Sequence, residues 1–327
     1  MVHGQRLHAP GQLRLSLDRK TAPRGIWQES RQRWNPSNVN SFGLPSLTSC
    51  PGRTGFCASC YGGNAERRNK GVTELLEHNL ALLHRAGDDV DALTALILNM
   101  ITRYEDHNDR VRMPPEDRVF RIHWDGDFYS LPYAQAWARV ITAHPGVQFW
   151  AYTRSFRAPV DVTPALAGLP NLALYLSIDA ENVDAGHQAL AAHPTLLAAY
   201  CAVDYRTARA LAPERPLTAA VCPENAGRIP LMANGRGACI TCGICPDGRR
   251  DILFSTSHLE VRTVAVAAPR RRPTARPTTS THLEPYPCAG AGCEEMITPT
   301  GLRGRRRTYH DRACQVRNYR AREHAHA

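Results

Sequence analysis

Residues 118–153 read RVFRIHWDGDFYSLPYAQAWARVITAHPGVQFWAYT. The first eight are apolar and aromatic with a polar end, the pattern of a strand that stops at Asp125 and Asp127. LPYAQAWARVITAH then places apolar residues at helical spacing, and VQFWAYT is a second strand that ends on Tyr152 and Arg154. Two strands joined by a helix are a parallel βα unit, because a crossover of this length returns the chain to the same edge direction.

The same rhythm continues on both sides. LALYLSID (172–179), LLAAYCAV (196–203), PLTAAVC (216–222) and DILFST (251–256) are further strands. NVDAGHQALAAH and RTARAL are helices between them. Upstream, VNSFGLP (39–45) is a short strand, VTELLEHNLALLHRAG a helix closing on Gly87, and DDVDALTALILNMITRY a helix capped by Asp88. Six or seven such units predict an α/β protein with a TIM-like or partial (β/α) barrel, and a doubly wound open sheet is the alternative. In a barrel the strand ends share one mouth. Asp125, Asp127, Tyr152, Arg154 and Asp179 are therefore the candidate catalytic or substrate-orienting residues, with Ser177, Cys222 and His258 also at strand ends. Each is also a residue type that caps helices or closes turns.

The chain has 327 residues, 11 of them cysteine, and a formal net charge of +10. Apolar residues make up 43%, enough for a sizeable core. It contains no apolar run of membrane-spanning length and no secretory leader pattern. The expected location is the cytoplasm, without membrane partners, where clustered thiols read as metal ligands more than as disulfides. Residues 1–37 show no periodicity and read as an irregular arm. Residues 38–258 form the barrel domain, 259–287 a Pro/Arg/Thr-rich linker, and 288–327 a compact tail. Residues 259–327 hold 13 Arg against 6 acidic residues, so most of the basic surplus lies there. The oligomeric state is not legible.

The cysteines fall into three groups. Cys50, Cys57 and Cys60 have the spacing C-x6-C-x2-C and precede Tyr61, Gly62 and Gly63. Three thiolates can hold three irons of a [4Fe-4S] cluster and leave the fourth iron open to a small ligand. Zinc and unligated thiols are the alternatives. Cys222, Cys239, Cys242 and Cys245 have the spacing C-x16-C-x2-C-x2-C followed by Pro246, which suits a second four-iron cluster or a structural zinc. Cys288, Cys293, His310 and Cys314 have the spacing C-x4-C-x16-H-x3-C, a zinc set that would staple a module too short for a core of its own. Arg303, Arg305–Arg307, Arg312, Arg317, Arg320 and Arg322, with Tyr309 and Tyr319, give that tail a surface suited to nucleic acid, or simply a solvated basic face. Cys201, inside an apolar run, reads as a buried small hydrophobe.

TSCPGRTGFCASCYG (48–62), together with DGDFYSLPYAQAWARVITAHPGVQFWAYTRSF (125–156), resembles the gene-product-88 family of actinobacteria and their phages, which is radical-SAM-like with a three-cysteine motif. The resemblance spans about residues 38–258. It implies a radical-SAM-like barrel and an iron-sulfur cluster on Cys50, Cys57 and Cys60, with Tyr61, Gly62 and Gly63 beside it. The expected function is that of an iron-sulfur enzyme of unassigned substrate that uses S-adenosylmethionine and an electron donor and meets nucleic acid through its tail. The alternative is a non-catalytic, metal-stabilised nucleic-acid-binding protein of phage or mobile-element origin. The tail ending YHDRACQVRNYRAR also resembles the last segment of small bacterial zinc fingers.

Overall fold

A computed structural model describes residues 11–212, 219–256, 285–288 and 293–297. The chain divides into two compact units, residues 1–267 and 268–327, each described by itself.

The first unit opens with a hairpin, β1 (Gly25–Gln28) and β2 (Arg33–Pro36). After the first cysteine loop come α1 (Tyr61–Arg68), α2 (Lys70–Ala86) and α3 (Val90–Arg110). Then follow β3 (Val119–Ile122), α4 (Leu131–Ala143) and β4 (Gln148–Thr153). A small hairpin, β5 (Phe156–Arg157) and β6 (Val160–Asp161), leads into α5 (Thr163–Leu166) and β7 (Leu172–Ile178). The chain continues through α6 (Val183–Ala192), β8 (Leu197–Ala202), α7 (Tyr205–Ala210) and β9 (Ala220–Val221). It closes with the hairpin β10 (Met232–Ala233) and β11 (Arg236–Gly237), helices α8 (Ala238–Cys242) and α9 (Ile244–Asp247), and β12 (Ile252–Ser255).

The protein is a mixed α/β fold around one six-stranded sheet in the order β3-β4-β7-β8-β12-β9, with every ladder parallel. From β3 to β8 the strands progress in sequence order, as the barrel reading expects. Then β12 enters between β8 and β9. Among the described residues no ladder joins β3 to β9, so the parallel sheet is what the structure shows of that expectation. The β3 edge is instead taken by the segment expected as a strand at 39–45: Arg121 N–H donates to Asn40 O (3.0 Å) and Phe42 N–H to Arg121 O (3.1 Å). Ser41 bridges in turn to Ser16. The arm expected to be irregular is thus partly built in, with Leu13 and Leu15 buried.

The sheet's two faces differ, and side-chain alternation along each strand sorts them. Phe120, Ile122, Phe149, Ala151, Leu174, Leu176, Tyr200 and Leu253 meet the helices in the main core. Helix α3 supplies Leu93, Ile97, Met100, Ile101 and Tyr104 at i, i+4, i+7, i+8 and i+11, one apolar stripe. Its cap is Asp89, not Asp88: the Asp89 carboxylate accepts from the N–H groups of Asp91 (2.9 Å) and Ala92 (3.1 Å). Ser130 caps α4 in the same way. The opposite face carries Val119, Trp150, Ala173, Tyr175, Ala199 and Ile252, covered by Cys245 and by Ile240, Ile244, Cys239 and Cys222. The second cysteine group, on the short helices α8 and α9 and the end of β9, is therefore a lid on the face of the sheet opposite the main core.

In the second unit, β13 (Tyr286–Pro287) pairs antiparallel with β14 (Met296–Ile297). Cys288 is buried there with Ile297, and Cys293 packs against them. His310, Cys314 and the tail arginines lie outside the described residues, so the zinc-finger-like module has only this pair in view.

Candidate functional site

A cavity of about 320 Å³ opens where β3, β4, β7, β8 and β12 end, on the face shared with the second cysteine group. Cys50, Cys57, Cys60 and Gly62 form one wall, and Asp125, Asp127, Tyr152 and Arg154 another. Eight of the residues singled out in the sequence are thereby brought together. Asp179 lies behind Arg154, Gly63 beside Ser46, and Tyr61 opens α1.

The cysteine loop is fixed by close packing and by hydrogen bonds. Gly52 is pressed on the end of β4: a Cβ there would lie 2.0 Å from Arg154 O. Asp179 Oδ2 accepts from Thr54 Oγ1 (2.7 Å) and from the Arg154 guanidinium, and Glu181 accepts from Gly55 N–H (3.1 Å). Arg154 also lies over the Phe56 ring, 5.5 Å from its centroid. Thr54, Gly55 and Phe56 precede Cys57, so these contacts set where its thiol points. Arg154, expected to orient a ligand, is committed to this latch.

Asp127 is buried and fully used. Its carboxylate accepts from Thr153 Oγ1, Phe128 N–H and Arg154 N–H, each at 2.7 Å. Burial raises its pKa to about 6, against the pull of those donors. It ties β3 to β4 and is a structural residue of the mouth. Asp125 differs. Oδ1 accepts from Gly126 N–H (3.0 Å), and the other neighbour of the carboxyl is Glu66 rather than an N–H or hydroxyl donor. Burial and the neighbouring Glu66 carboxyl push its pKa up to about 9.

The thiols share that electrostatic setting. Burial raises the pKa of Cys50, and Asp127, Cys60 and Asp125 add to the rise. Cys60 is raised by burial, by Asp125 and by Cys57. Three half-buried thiols and two buried carboxyl groups meet in one cavity, whose cations Lys20, Arg121 and Arg154 are already paired with Glu224, Asp18 and Asp179. A bound metal group would add the positive charge that holds the thiols as thiolates.

The second group lies behind Tyr152. Burial raises Cys245 to about 12, against a hydrogen bond with the Tyr152 hydroxyl, and Cys222 and Cys242 raise it further. Cys239 is raised by burial and by Cys245. Cys245 thus senses Cys222 and Cys242, and Cys239 senses Cys245. No described cysteine is in a disulfide. Among the described residues, no three His, Cys, Asp or Glu side chains are gathered tightly enough to hold a single ion.

Several cavity residues were not legible as such. Lys20 comes from the arm and pairs with Glu224 (2.8 Å), which follows Cys222. His123 and Trp124 line the cavity from the end of β3. Cys201, expected to be a plain core residue, faces the cavity from β8 and senses both Arg154 and Cys57. Its register was the available signal: it alternates in phase with the face that carries Tyr152 and Ser177.

Compared with known proteins, residues 14–248 match gene product 88. The chain belongs to the gene product 88 family. It is 42% identical over 222 residues to the Gene 88 protein of Mycobacterium phage L5, covering 67% of this chain and 87% of that protein. It is 41% identical over 223 residues to the Gene 88 protein of Mycobacterium phage D29, covering 67% and 88%. No solved structure matches it. The gene product 88 span contains both of the first two cysteine groups, and it ends before β12 and the tail. No helix of the described residues is long and apolar enough to cross a membrane.

Proposed function

We propose that this gene product 88 protein is an iron-sulfur enzyme of radical-SAM-like type. Cys50, Cys57 and Cys60 would hold a [4Fe-4S] cluster at the mouth of the sheet, and three thiolates would leave one iron without a protein ligand. The observation that carries this reading is the placement of three thiols from one loop on a cavity wall beside the buried Asp125 carboxyl. The residues suit the group: three thiols line one cavity, its cations Lys20, Arg121 and Arg154 are paired with Glu224, Asp18 and Asp179, and Gly62 lets α1 approach Asp125 closely.

Bound there, such a cluster would supply one-electron reduction of a small ligand, here S-adenosylmethionine. The protein's own part is to hold and to exclude. The Thr54–Asp179–Arg154 latch fixes the loop, and Tyr152 and Phe254 give the cavity an aromatic wall that limits water. A volume near 320 Å³ is at the small end of ligand pockets. Cys222, Cys239, Cys242 and Cys245 would hold a second metal centre behind Tyr152, and Cys288 with Cys293 would form half of a zinc site whose basic tail meets nucleic acid. An external electron donor completes the scheme.

Anaerobic purification and reconstitution with iron and sulfide test it. The expected result is brown protein with an electron paramagnetic resonance signal after reduction, and 5′-deoxyadenosine when S-adenosylmethionine is added. Colourless protein that carries only zinc would overturn it.

A further inference from the structure

The β1–β2 hairpin stands apart from the cavity and plays no part in the reading above. Its register pairs Trp27 with Trp34 on one face, with ring centroids 5.5 Å apart at 65°. Trp34 is anchored, since Gly235 sits close enough that a Cβ there would lie 3.3 Å from its ring. Trp27 lies on that anchor with 41% of its surface exposed, and its indole N–H donates to Glu29. An isolated two-stranded ribbon gains little from holding a large aromatic ring in water. Here the ring is held rigidly, by edge contact and by a hydrogen bond, with its outer side uncovered.

The surroundings are cationic. Arg24, Arg31 and Arg33 are exposed on the hairpin against one exposed acid, Glu29. Arg24 donates to the carbonyl of Val111 (3.2 Å), which brings the exposed Arg110 and Arg112 beside the hairpin's base. Asp109, the acid nearest in sequence, is already paired with Arg118 at 2.7 Å. A pre-positioned aromatic ring among guanidinium groups complements a chain of phosphates with unstacked bases. We infer that the β1–β2 hairpin is a binding platform for single-stranded nucleic acid, with a base stacked on Trp27 and the phosphates on Arg24, Arg31 and Arg33. The platform belongs to the first unit.

The test uses the full chain, so that binding by the tail is the same in every variant, and fluorescein-labelled oligo-dT as the probe. Fluorescence anisotropy at several salt concentrations should give about ten-fold weaker binding for Trp27→Ala and near-normal binding for Trp27→Phe, which keeps a stacking ring. The double variant Arg31→Gln/Arg33→Gln should flatten the plot of log affinity against log salt by about 1.4, two phosphate contacts on a single strand. These positions are exposed, so melting temperatures should match the parent. If Trp27→Ala does not fold, the arginine pair decides alone. Unchanged affinity and salt slope in the variants would overturn the proposal. So would a dimer that Trp27→Ala dissolves while oligo-dT affinity stays the same, because the hairpin would then join two copies of the chain.

Discussion

Gly62 lies against the carboxyl of Asp125, so close that a Cβ on Gly62 would fall 2.0 Å from Asp125 Oδ1. Position 62 is helical, and in an open helix Gly→Ala stabilises by about 1 kcal/mol. Here the sign should reverse. Asp125 is buried and its carboxyl cannot swing freely, so Gly62→Ala must displace either α1 or the end of β3, at about 1–3 kcal/mol. Urea unfolding of Gly62→Ala, of Asp125→Ala and of the double variant checks this. In the Asp125→Ala background the Gly62→Ala substitution should become neutral or stabilising.

Arg154 and Asp179 form the second close relationship, and it predicts a strong asymmetry. Their side chains are 11% and 4% exposed. Asp179→Leu would strand the guanidinium in the cavity wall and release Thr54, costing about 3–5 kcal/mol. The double variant Arg154→Met/Asp179→Leu removes both charges and should recover a large part of that loss. Limited proteolysis between residues 50 and 60 should speed up in both, because the Thr54 contact is lost in each. A single variant as stable as the parent would show that the pair does not hold the loop.

The βα rhythm was legible because each strand is short, aromatic or β-branched, and ends in a polar residue. Of the strand-end residues, Asp125, Asp127, Tyr152 and Arg154 line one cavity, whereas Asp179 lies behind Arg154. What was not legible depends on long-range order. Nothing in DILFST shows that it enters the sheet inside PLTAAVC, which precedes it in the chain. The arm residue Lys20 reaches the cavity only because 40–42 pairs with β3 and brings the arm across the edge. The division of labour between Asp125 and Asp127 was also hidden, since it rests on hydrogen bonds from Thr153, Phe128 and Arg154 to Asp127 and on the Glu66 carboxyl beside Asp125.

Cys201 supplies a test of how many thiols the cluster uses. It faces the cavity and senses Cys57, yet the loop alone provides three ligands. Under the proposed function Cys201→Ala should retain the parent's iron content at the first site and Cys57→Ala should lose it, measured by iron and sulfide analysis after anaerobic reconstitution. Loss of iron in Cys201→Ala would mean a cluster closed by four thiolates, with no iron open to a ligand.

His123 predicts a dependence of stability on acid. It is buried, its Nε2 is 2.9 Å from the Tyr133 hydroxyl, and its Nδ1 has no partner. Burial lowers its pKa from 6.5 to about 3. Between these values the unfolded chain binds a proton that the folded chain does not, so stability rises with pH across that window and is lost as pH falls. One proton sets the largest slope at about 1.4 kcal/mol per pH unit. Asp127 opposes it, because a carboxyl raised from 3.8 to about 6 favours the folded state at lower pH. The contribution of His123 is therefore read as a difference. His123→Asn suits the left-handed backbone there, where φ is +57°. The parent should lose stability relative to His123→Asn as pH falls from about 7 to about 4.5 in urea unfolding. Parallel pH profiles for the two proteins would show that the imidazole is protonated, or solvated, in the folded state.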